Sequence, residues 1–393
     1  MLPNIPGKKS NYSLCYRCFT LFHNIILKLS GLSPWTLNTS QLFRKNCAFD
    51  NRSLSTTSHI GSFYNMLIII IILVLNYYSF FDKIYSSYFY QTKVGIMTMA
   101  IMFASNLCAV LILLLYIIRQ KILVRVLNRI MYLDKRLNVR EHEMKHTVYY
   151  ILFFVNLVIF TVNHFLLLLQ FPTFIAVLIR YLPGMIVVGV ILQYSLILSM
   201  INKRFRVIQS TILNFEKLKW NMLGAEVLVS HQTAMNNIDN LKSTYYALFE
   251  ICQDIENFYG LPILFSILAI AMRAVFMVYF MISEIMGGLK GGVTMFYYGI
   301  SILQHSFLLI ILTSTVNKII IQVHKTNEKT ARIILLVVDK CTNQRTDDKV
   351  SRTTDLLCLK IKVTSCDLLP LDRTLLMLIS GSISSYLIIT IAF

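Results

Sequence analysis

The side chain in this sequence with the most unusual setting is Arg273. It lies near the middle of an apolar stretch from Leu261 to Ser283. A charge held in a hydrocarbon layer is costly, so by default such a residue marks a functional site. A side chain that reaches back to the membrane surface, or a shifted end of the stretch, would explain Arg273 without a function. We predict that Arg273 faces a water-accessible cavity.

Polar side chains also lie at helical spacing in two other apolar stretches. In residues 148–170, Asn163 and His164 follow Asn156 by seven and eight positions, which places them on one helix face. Hydrogen bonds between neighbouring helices would explain any single member of the set, but together they predict a polar pocket. The candidate ligand-binding residues are Arg273, His164, Asn163, Tyr181, Tyr297, Ser301, Gln304 and His305.

Enzyme chemistry has little support in the sequence. The GxSxG, Walker and GxGxxG patterns are absent, and no apolar stretch contains a carboxylate pair. A single HExxH match, at residues 142–146, lies in the basic loop between the second and third apolar stretches, whereas zinc binding by this pattern needs a helix. Cys15 and Cys18 form a CxxC, but zinc needs further ligands at matching spacing, and Cys47 is distant. We expect no catalytic residues, no metal site and no cofactor.

The apolar stretches themselves predict a membrane protein. Apolar residues make up 56% of the 393 residues and charged residues 14%. Runs of about 20 apolar residues can cross a hydrocarbon core as helices, and residues 66–75 do not alternate as barrel strands would. We predict an all-α membrane protein with seven transmembrane helices. The predicted spans are Phe63–Phe81, Val94–Ile118, Val148–Gln170, Tyr181–Ile201, Leu261–Ser283, Thr294–Ser314 and Thr374–Phe393.

The distribution of Lys and Arg predicts the orientation of the chain. Of 37 such residues, 32 fall in the first 62 residues or in the loops after the second, fourth and sixth spans. Basic residues are retained on the cytosolic side, so the N-terminus is predicted to be cytosolic and the C-terminus extracellular. The candidate pocket then lies in the outer half of the membrane. The net charge of +18 reflects this topology and contact with membrane lipid, and we expect no nucleic-acid partner.

The long inner segments contain apolar residues at helical spacing, for example Tyr245, Leu248 and Cys252. We predict that they extend the spans as cytosolic helices. The predicted divisions are a cytosolic N-terminal segment 1–62, helices one to four in 63–201, a cytosolic helical extension 202–260, helices five and six in 261–314, a cytosolic helical anchor and loop 315–372, and the last helix 373–393.

An amphipathic helix is predicted in the N-terminal segment, from Leu14 to Ser30. Phe22, Ile25 and Leu29 belong to its apolar stripe, and His23 falls off that stripe. We expect this helix to lie at the cytosolic membrane interface. Residues 36–60 are rich in Ser, Thr and Asn and are predicted to be loosely structured.

The last span carries a short motif that resembles a known family. Residues 385–393 read SYLIITIAF, which is similar to the C-terminal signature of insect gustatory receptors: Thr-Tyr, five mostly apolar residues, then Gln-Phe. Cys366-Asp367, Arg204-Phe205 and Tyr259-Gly260 also look like family positions. The seven spans, the inner N-terminus and the large inner loops agree with this family over the whole chain.

The resemblance implies a chemosensory, ligand-gated cation channel in the plasma membrane of sensory neurons, which detects a small-molecule tastant. It also implies a homo- or hetero-tetramer with related receptor subunits, built around the last helix. The pore and gating residues that it implies are Ser385, Tyr386, Ile389, Thr390, Ala392 and Phe393. Ala392 stands where the family has Gln, and this departure favours a divergent subunit that works beside others.

Two other classes of membrane protein also have several helical spans. A G-protein-coupled chemoreceptor needs the opposite orientation and usually an external disulfide, but none of the eight cysteines falls in a predicted outer loop. A transporter often shows internal repeats and broken helices. Here only the fourth span is interrupted, by Gly184 and Gly189, and no repeat is visible.

Overall fold

A computed structural model of the chain describes residues 21–37, 55–85, 93–137, 147–170, 174–221, 227–286, 292–340, 364–365, 369–371 and 373–392. Nearly all of these residues are helical, as predicted. The helices are α1 (residues 21–29), α2 (His59–Tyr85), α3 (Lys93–Ile118), α4 (Gln120–Arg136), α5 (Thr147–Gln170), α6 (Phe174–Asn221), α7 (Val227–Met286), α8 (Gly292–Lys340) and α9 (Arg373–Ala392). The short strands are β1 (Thr36–Leu37), β2 (Ser55–Thr56), β3 (Thr364–Ser365) and β4 (Leu369–Pro370).

Each predicted span coincides with one helix, in the order α2, α3, α5, α6, α7, α8 and α9. Among the described residues, five of these helices are long and apolar enough to cross a membrane, and α5 contributes a shorter apolar run, Ile151–Leu166. The predicted all-α membrane fold is confirmed. The orientation of the chain in the membrane stays a prediction.

Three helices continue far beyond the membrane-spanning length. Helices α6, α7 and α8 have 48, 60 and 49 residues, and a 60-residue helix is about 90 Å long. Their extensions pack together, and that of α7 also packs against α4, at the end of the bundle that carries most of the Lys and Arg of the described helices, which we call the basic end. The sequence prediction did not include α4, because its basic residues were interpreted only as a topology signal.

Helix α6 forms the centre of the bundle. It packs against α2, α3, α5, α7 and α8. In its most apolar stretch, within Tyr181–Thr211, 83% of the residues are buried, compared with 22% in the corresponding stretch of α2. Exposed apolar residues of α2, such as Ile70 and Leu73, are expected in a helix that faces lipid. Helix α6 is continuous through Gly184 and Gly189, so the predicted interruption of the fourth span is wrong.

Helix α1 places its apolar stripe outward and its other face against the bundle. Phe22, Ile25 and Leu29 are exposed, whereas His23 and Leu27 are buried. The imidazole of His23 packs edge-on against the ring of Phe153, with centroids 4.6 Å apart. An exposed apolar stripe supports a helix lying at a membrane interface. Residues 14–20 lie outside the described residues.

The turn that follows α1 is inserted into the bundle and held by three side-chain amides. Asn65 donates to the carbonyl of Gly31 at 2.7 Å, and Gln120 donates to that of Pro34 at 2.8 Å. Gln193 donates to the carbonyl of Leu32 at 3.4 Å. Gly31 has φ +78°, a backbone conformation that favours glycine. These contacts fix the buried turn to α2, α4 and α6.

The prediction that residues 36–60 are loosely structured is wrong at both ends of that segment. Strands β1 and β2 pair there as a short antiparallel ladder, and α2 begins at His59. The side-chain amide of Asn128, on α4, donates to the carbonyl of Ser55 at 3.0 Å and accepts from its N–H at 3.1 Å. Because this partner is distant in sequence, the composition of the segment could not reveal the ladder.

Acidification should weaken the docking of α1. Burial lowers the pKa of His23 to about 4 from its ordinary 6.5. The unfolded chain therefore binds the proton more readily than the folded chain. The contribution of buried His23 to the free energy of unfolding is complete above pH 6.5 and is lost as the pH falls from 6.5 towards 4. We expect His23→Phe to reduce this loss of thermal stability, measured between pH 7 and pH 5. His324→Phe, at an exposed position, is the control. An unchanged pH dependence in His23→Phe would contradict the assignment.

Candidate ligand-binding site

A cavity of about 80 Å³ lies between helices α3, α5, α6, α7 and α8. Seven of the eight predicted ligand-binding residues line it: Arg273, His164, Asn163, Tyr297, Ser301, Gln304 and His305. The eighth, Tyr181, packs behind it, with ring centroids 4.9 Å from Phe160 and 4.7 Å from His164. The structure thus brings the predicted set to one place, and their role in binding stays a prediction.

The guanidinium of Arg273 is held by a residue that the sequence prediction missed. Its Nε and Nη2 donate to the hydroxyl oxygen of Ser105, at 3.0 Å and 2.6 Å. A Cβ added at Gly184 would lie 3.1 Å from Nη1 and 3.0 Å from the ring of Phe160. Ser105 therefore orients the guanidinium, and the missing side chain at Gly184 leaves space for it.

Helices α5 and α8 are joined by an amide and hydroxyl cluster. Nδ2 of Asn163 donates to the hydroxyl of Ser301 at 2.7 Å and to Oε1 of Gln304 at 3.4 Å. Oδ1 of Asn163 and Nε2 of Gln304 are buried without a hydrogen-bond partner. A buried polar atom in this state costs roughly 1–3 kcal/mol. A ligand or water in the cavity could supply the missing partners.

Two histidines add acceptor groups to the cavity. Nδ1 of His164 donates to the carbonyl of Phe160 at 2.7 Å, and Nδ1 of His305 donates to the carbonyl of Ser301. A carbonyl can only accept, so Nδ1 of each ring carries a proton, and in the neutral form of the ring Nε2 is an acceptor. The cavity therefore combines one guanidinium with amide donors and imidazole acceptors.

Eleven further residues line the cavity and were not in the predicted set: Ile101, Met102, Ser105, Asn106, Phe160, Gly184, Val187, Val188, Phe276, Met277 and Leu308. Most are apolar and look like ordinary membrane-facing residues in a sequence. Ser105 and Asn106 are polar neighbours in the second span, and this signal could have identified them. Nothing in the sequence distinguishes Gly184 as a pocket residue.

The predicted pore residues lie on or beside α9. Ser385 is exposed, and Tyr386, Ile389, Thr390 and Ala392 belong to the same helix. Phe393 lies outside the described residues. Helix α9 packs against α7 and α8, two helices that also line the cavity. The pore role of these residues stays a prediction.

In the part of the chain that the structure describes, no group of three or more His, Cys, Asp or Glu side chains could hold a metal ion. Cys15, Cys18 and Cys47 lie outside that part.

Comparison with known proteins decides the family. The model of the 7tm chemosensory receptor family matches residues 20–393. This chain belongs to that family. The resemblance predicted from the C-terminal motif is therefore confirmed, and the chain is a multi-pass membrane receptor. No curated protein matches this receptor.

Solved structures show the same fold for this receptor. The insect olfactory receptor OR5 from Machilis hrabei is 10% identical, with a TM-score of 0.67, over 97% of this chain and 99% of that chain. The same protein in complex with eugenol has a TM-score of 0.58 at 10% identity, over 97% and 100% of the two chains. The seven-helix architecture agrees with both structures. The family and these structures are receptors, not enzymes.

Proposed function

We propose that this receptor is a gustatory receptor and a subunit of a ligand-gated cation channel. A small-molecule tastant binds in the cavity between α3, α5, α6, α7 and α8, and the pore is lined by α9. The receptor acts in the plasma membrane of sensory neurons. It assembles with itself or with related subunits as a tetramer, surrounded by membrane lipid.

The cavity is the observation that carries this proposal. It gathers buried polar groups from several helices inside an apolar bundle, and two of those groups have no hydrogen-bond partner. Such groups are expensive in a membrane protein, and by default they mark a site. A receptor of the same fold has been solved with eugenol, which supports a small organic ligand.

The position of α9 supports a link between this cavity and a pore. Helices α7 and α8 line the cavity and also contact α9. A ligand that binds one arrangement of α7 and α8 more tightly would shift the population of that arrangement, and α9 would follow. Membership of this family does not favour the alternative of a G-protein-coupled receptor.

The exposed face of α9 supports assembly. Met377 and Ile388 are 77% and 69% exposed, and Ser380, Ser382 and Ser385 are exposed on the same helix. The hydroxyls of Ser380 and Ser382 donate to backbone carbonyls of their own helix, and their oxygens can still accept from water. Several copies of such a helix can therefore surround a hydrated path. One helix cannot enclose a pore, so the proposal requires several subunits.

Filling the cavity should weaken the response to tastants. We expect Ser301→Leu to raise the half-maximal tastant concentration by roughly tenfold or more, since overpacking a filled site costs about 1–3 kcal/mol. Ser306→Leu is the matched control, because Ser306 is exposed on the same helix. The measurement is whole-cell current under a tastant panel, without GTP and with a G-protein blocker, normalised to surface expression. Equal responses of the two variants would contradict the proposed site.

A further inference from the structure

We infer that the ligand of this cavity is a small organic carboxylate, recognised by the guanidinium of Arg273. The inference rests on the proposed function in placing the ligand in this cavity, and it adds the chemical class of that ligand. Three features carry it: the charge of the lining, the geometry of Arg273, and the unpaired donor of Gln304.

The charge of the cavity lining has one sign. Of the eighteen described residues that form it, Arg273 carries a permanent charge and none is Asp or Glu. Electrostatic attraction is stronger in a low-dielectric bundle than in water. An anionic group that enters the cavity is therefore attracted by Arg273, whereas a cationic amine is repelled by it.

The guanidinium is fixed in orientation before any ligand arrives. Two of its nitrogens share the hydroxyl oxygen of Ser105, and Nη1 lies where the absent side chain of Gly184 leaves room. The planar fork of a guanidinium matches a carboxylate better than it matches a single acceptor. The Ser105 hydroxyl accepts from Arg273 and retains its own proton, so it can also donate to a carboxylate oxygen.

An unpaired amide donor lines the same cavity. Nε2 of Gln304 is buried without a partner, and Gln304 is 3% exposed. A carboxylate has two oxygens and accepts about four hydrogen bonds, so it can pair with Gln304 and Arg273 together. An amide or alcohol of equal size offers fewer acceptor sites and no charge.

The rest of the lining suits a short hydrocarbon chain. Met102, Phe160, Val187, Phe276 and Met277 contribute apolar surface. The volume of about 80 Å³ is only about five to eight times the roughly 10–15 Å³ that one water requires. A bare inorganic anion would leave this apolar surface without contacts, so an organic acid with a short chain is the better fit.

The test compares three compounds with the same chain: pentanoate, pentanamide and pentan-1-ol. The full-length receptor is purified into nanodiscs of neutral lipid at pH 7.4, and binding is measured with radiolabelled compounds and by the shift in melting temperature. We expect saturable pentanoate binding and a raised melting temperature, with at least tenfold weaker binding of the amide and the alcohol. Equal or tighter binding of the neutral compounds, or no pentanoate binding, would overturn the inference.

Variants locate the binding to Arg273. We expect Arg273→Gln to weaken pentanoate binding about tenfold to a hundredfold, the range for a hydrogen-bonded charged group. Arg129→Gln is the matched control, because Arg129 is an exposed arginine at the basic end. Gly184→Ala crowds Nη1 of Arg273 and should weaken pentanoate binding several-fold. This variant is the test of the site if Arg273→Gln does not fold. Wild-type affinity in both pocket variants would overturn the inference.

This test separates the inference from the proposed function. Pentanoate binding without current in any subunit combination would leave the carboxylate site standing and contradict the channel. Current evoked only by neutral compounds would support the channel and overturn the carboxylate site.

Discussion

Replacing Gly61 with alanine is expected to prevent the receptor from reaching its folded state. A Cβ at Gly61 would lie 1.9 Å from the carbonyl oxygen of Pro34 and 2.6 Å from its carbonyl carbon. Both atoms belong to the backbone, so no side-chain rotation can relieve the overlap. The Pro34 carbonyl is also fixed by the amide of Gln120. The buried turn would have to leave the bundle.

The measurement is the yield of monodisperse receptor after detergent extraction, together with its melting temperature. Gly299→Ala is the matched control, because no heavy atom of the described residues lies within 4 Å of a Cβ added there. The control should be neutral or slightly stabilising, since Ala is favoured over Gly in a helix by up to about 1 kcal/mol. A wild-type yield and melting temperature for Gly61→Ala would contradict the packing of the turn on α2.

Removing Asp134 should cause the second large loss, about 3–5 kcal/mol of the free energy of unfolding, the range for breaking a buried ion pair. Nη2 of Arg204 donates to the Asp134 carboxylate, and the side chain of Arg204 is 1% exposed. Burial raises the pKa of Asp134, and the charge of Arg204 opposes that rise. Asp134→Ala would leave the guanidinium charge buried with the carbonyl of Met200 as its remaining acceptor among the described residues.

Two further variants separate charge from packing. Asp254→Ala removes the nearer of the two carboxylate partners of Arg129, Asp254 and Glu250, at the same end of the bundle, where the arginine side chain is 45% exposed. We expect a loss of about 1 kcal/mol or less, as for other exposed pairs. The double variant Asp134→Ala, Arg204→Met should recover much of the lost stability, because it removes the buried charge. A double variant as unstable as Asp134→Ala would show that packing, not charge, dominates at this site.

The fold was predictable wherever hydrophobicity alone determines the structure. Each of the seven spans was predicted at its correct helix, because lipid requires both apolar side chains and internal backbone hydrogen bonds. Helix spacing likewise placed Asn163 and His164 on one face of their helix, and Ser301 and Gln304 on one face of another. These predictions depend on one chain segment at a time, and a sequence records that information directly.

What the sequence did not predict depends on contacts between distant segments. The β1–β2 ladder needs Asn128, and the buried turn needs amides from three different helices. Ser105 and Gly184 were missed for the same reason, since their importance comes from where the Arg273 side chain lies. The apolar stripe of α1 was predicted, but the docking of its opposite face against Phe153 depends on a second helix.

Single-channel recording tests the central claim most directly, because it examines pocket and pore in one molecule. Outside-out patches without GTP would contain the receptor, with related subunits where required, and the tastant would be applied to the outer face. We predict ligand-evoked unitary cation currents. Ser385→Cys, on α9, should change the unitary conductance, whereas Ser301→Leu should change only the concentration dependence of opening. The account would be contradicted by a unitary conductance that neither Ser385→Cys nor cysteine substitutions at neighbouring positions of α9 alter. A response that requires GTP would also contradict it.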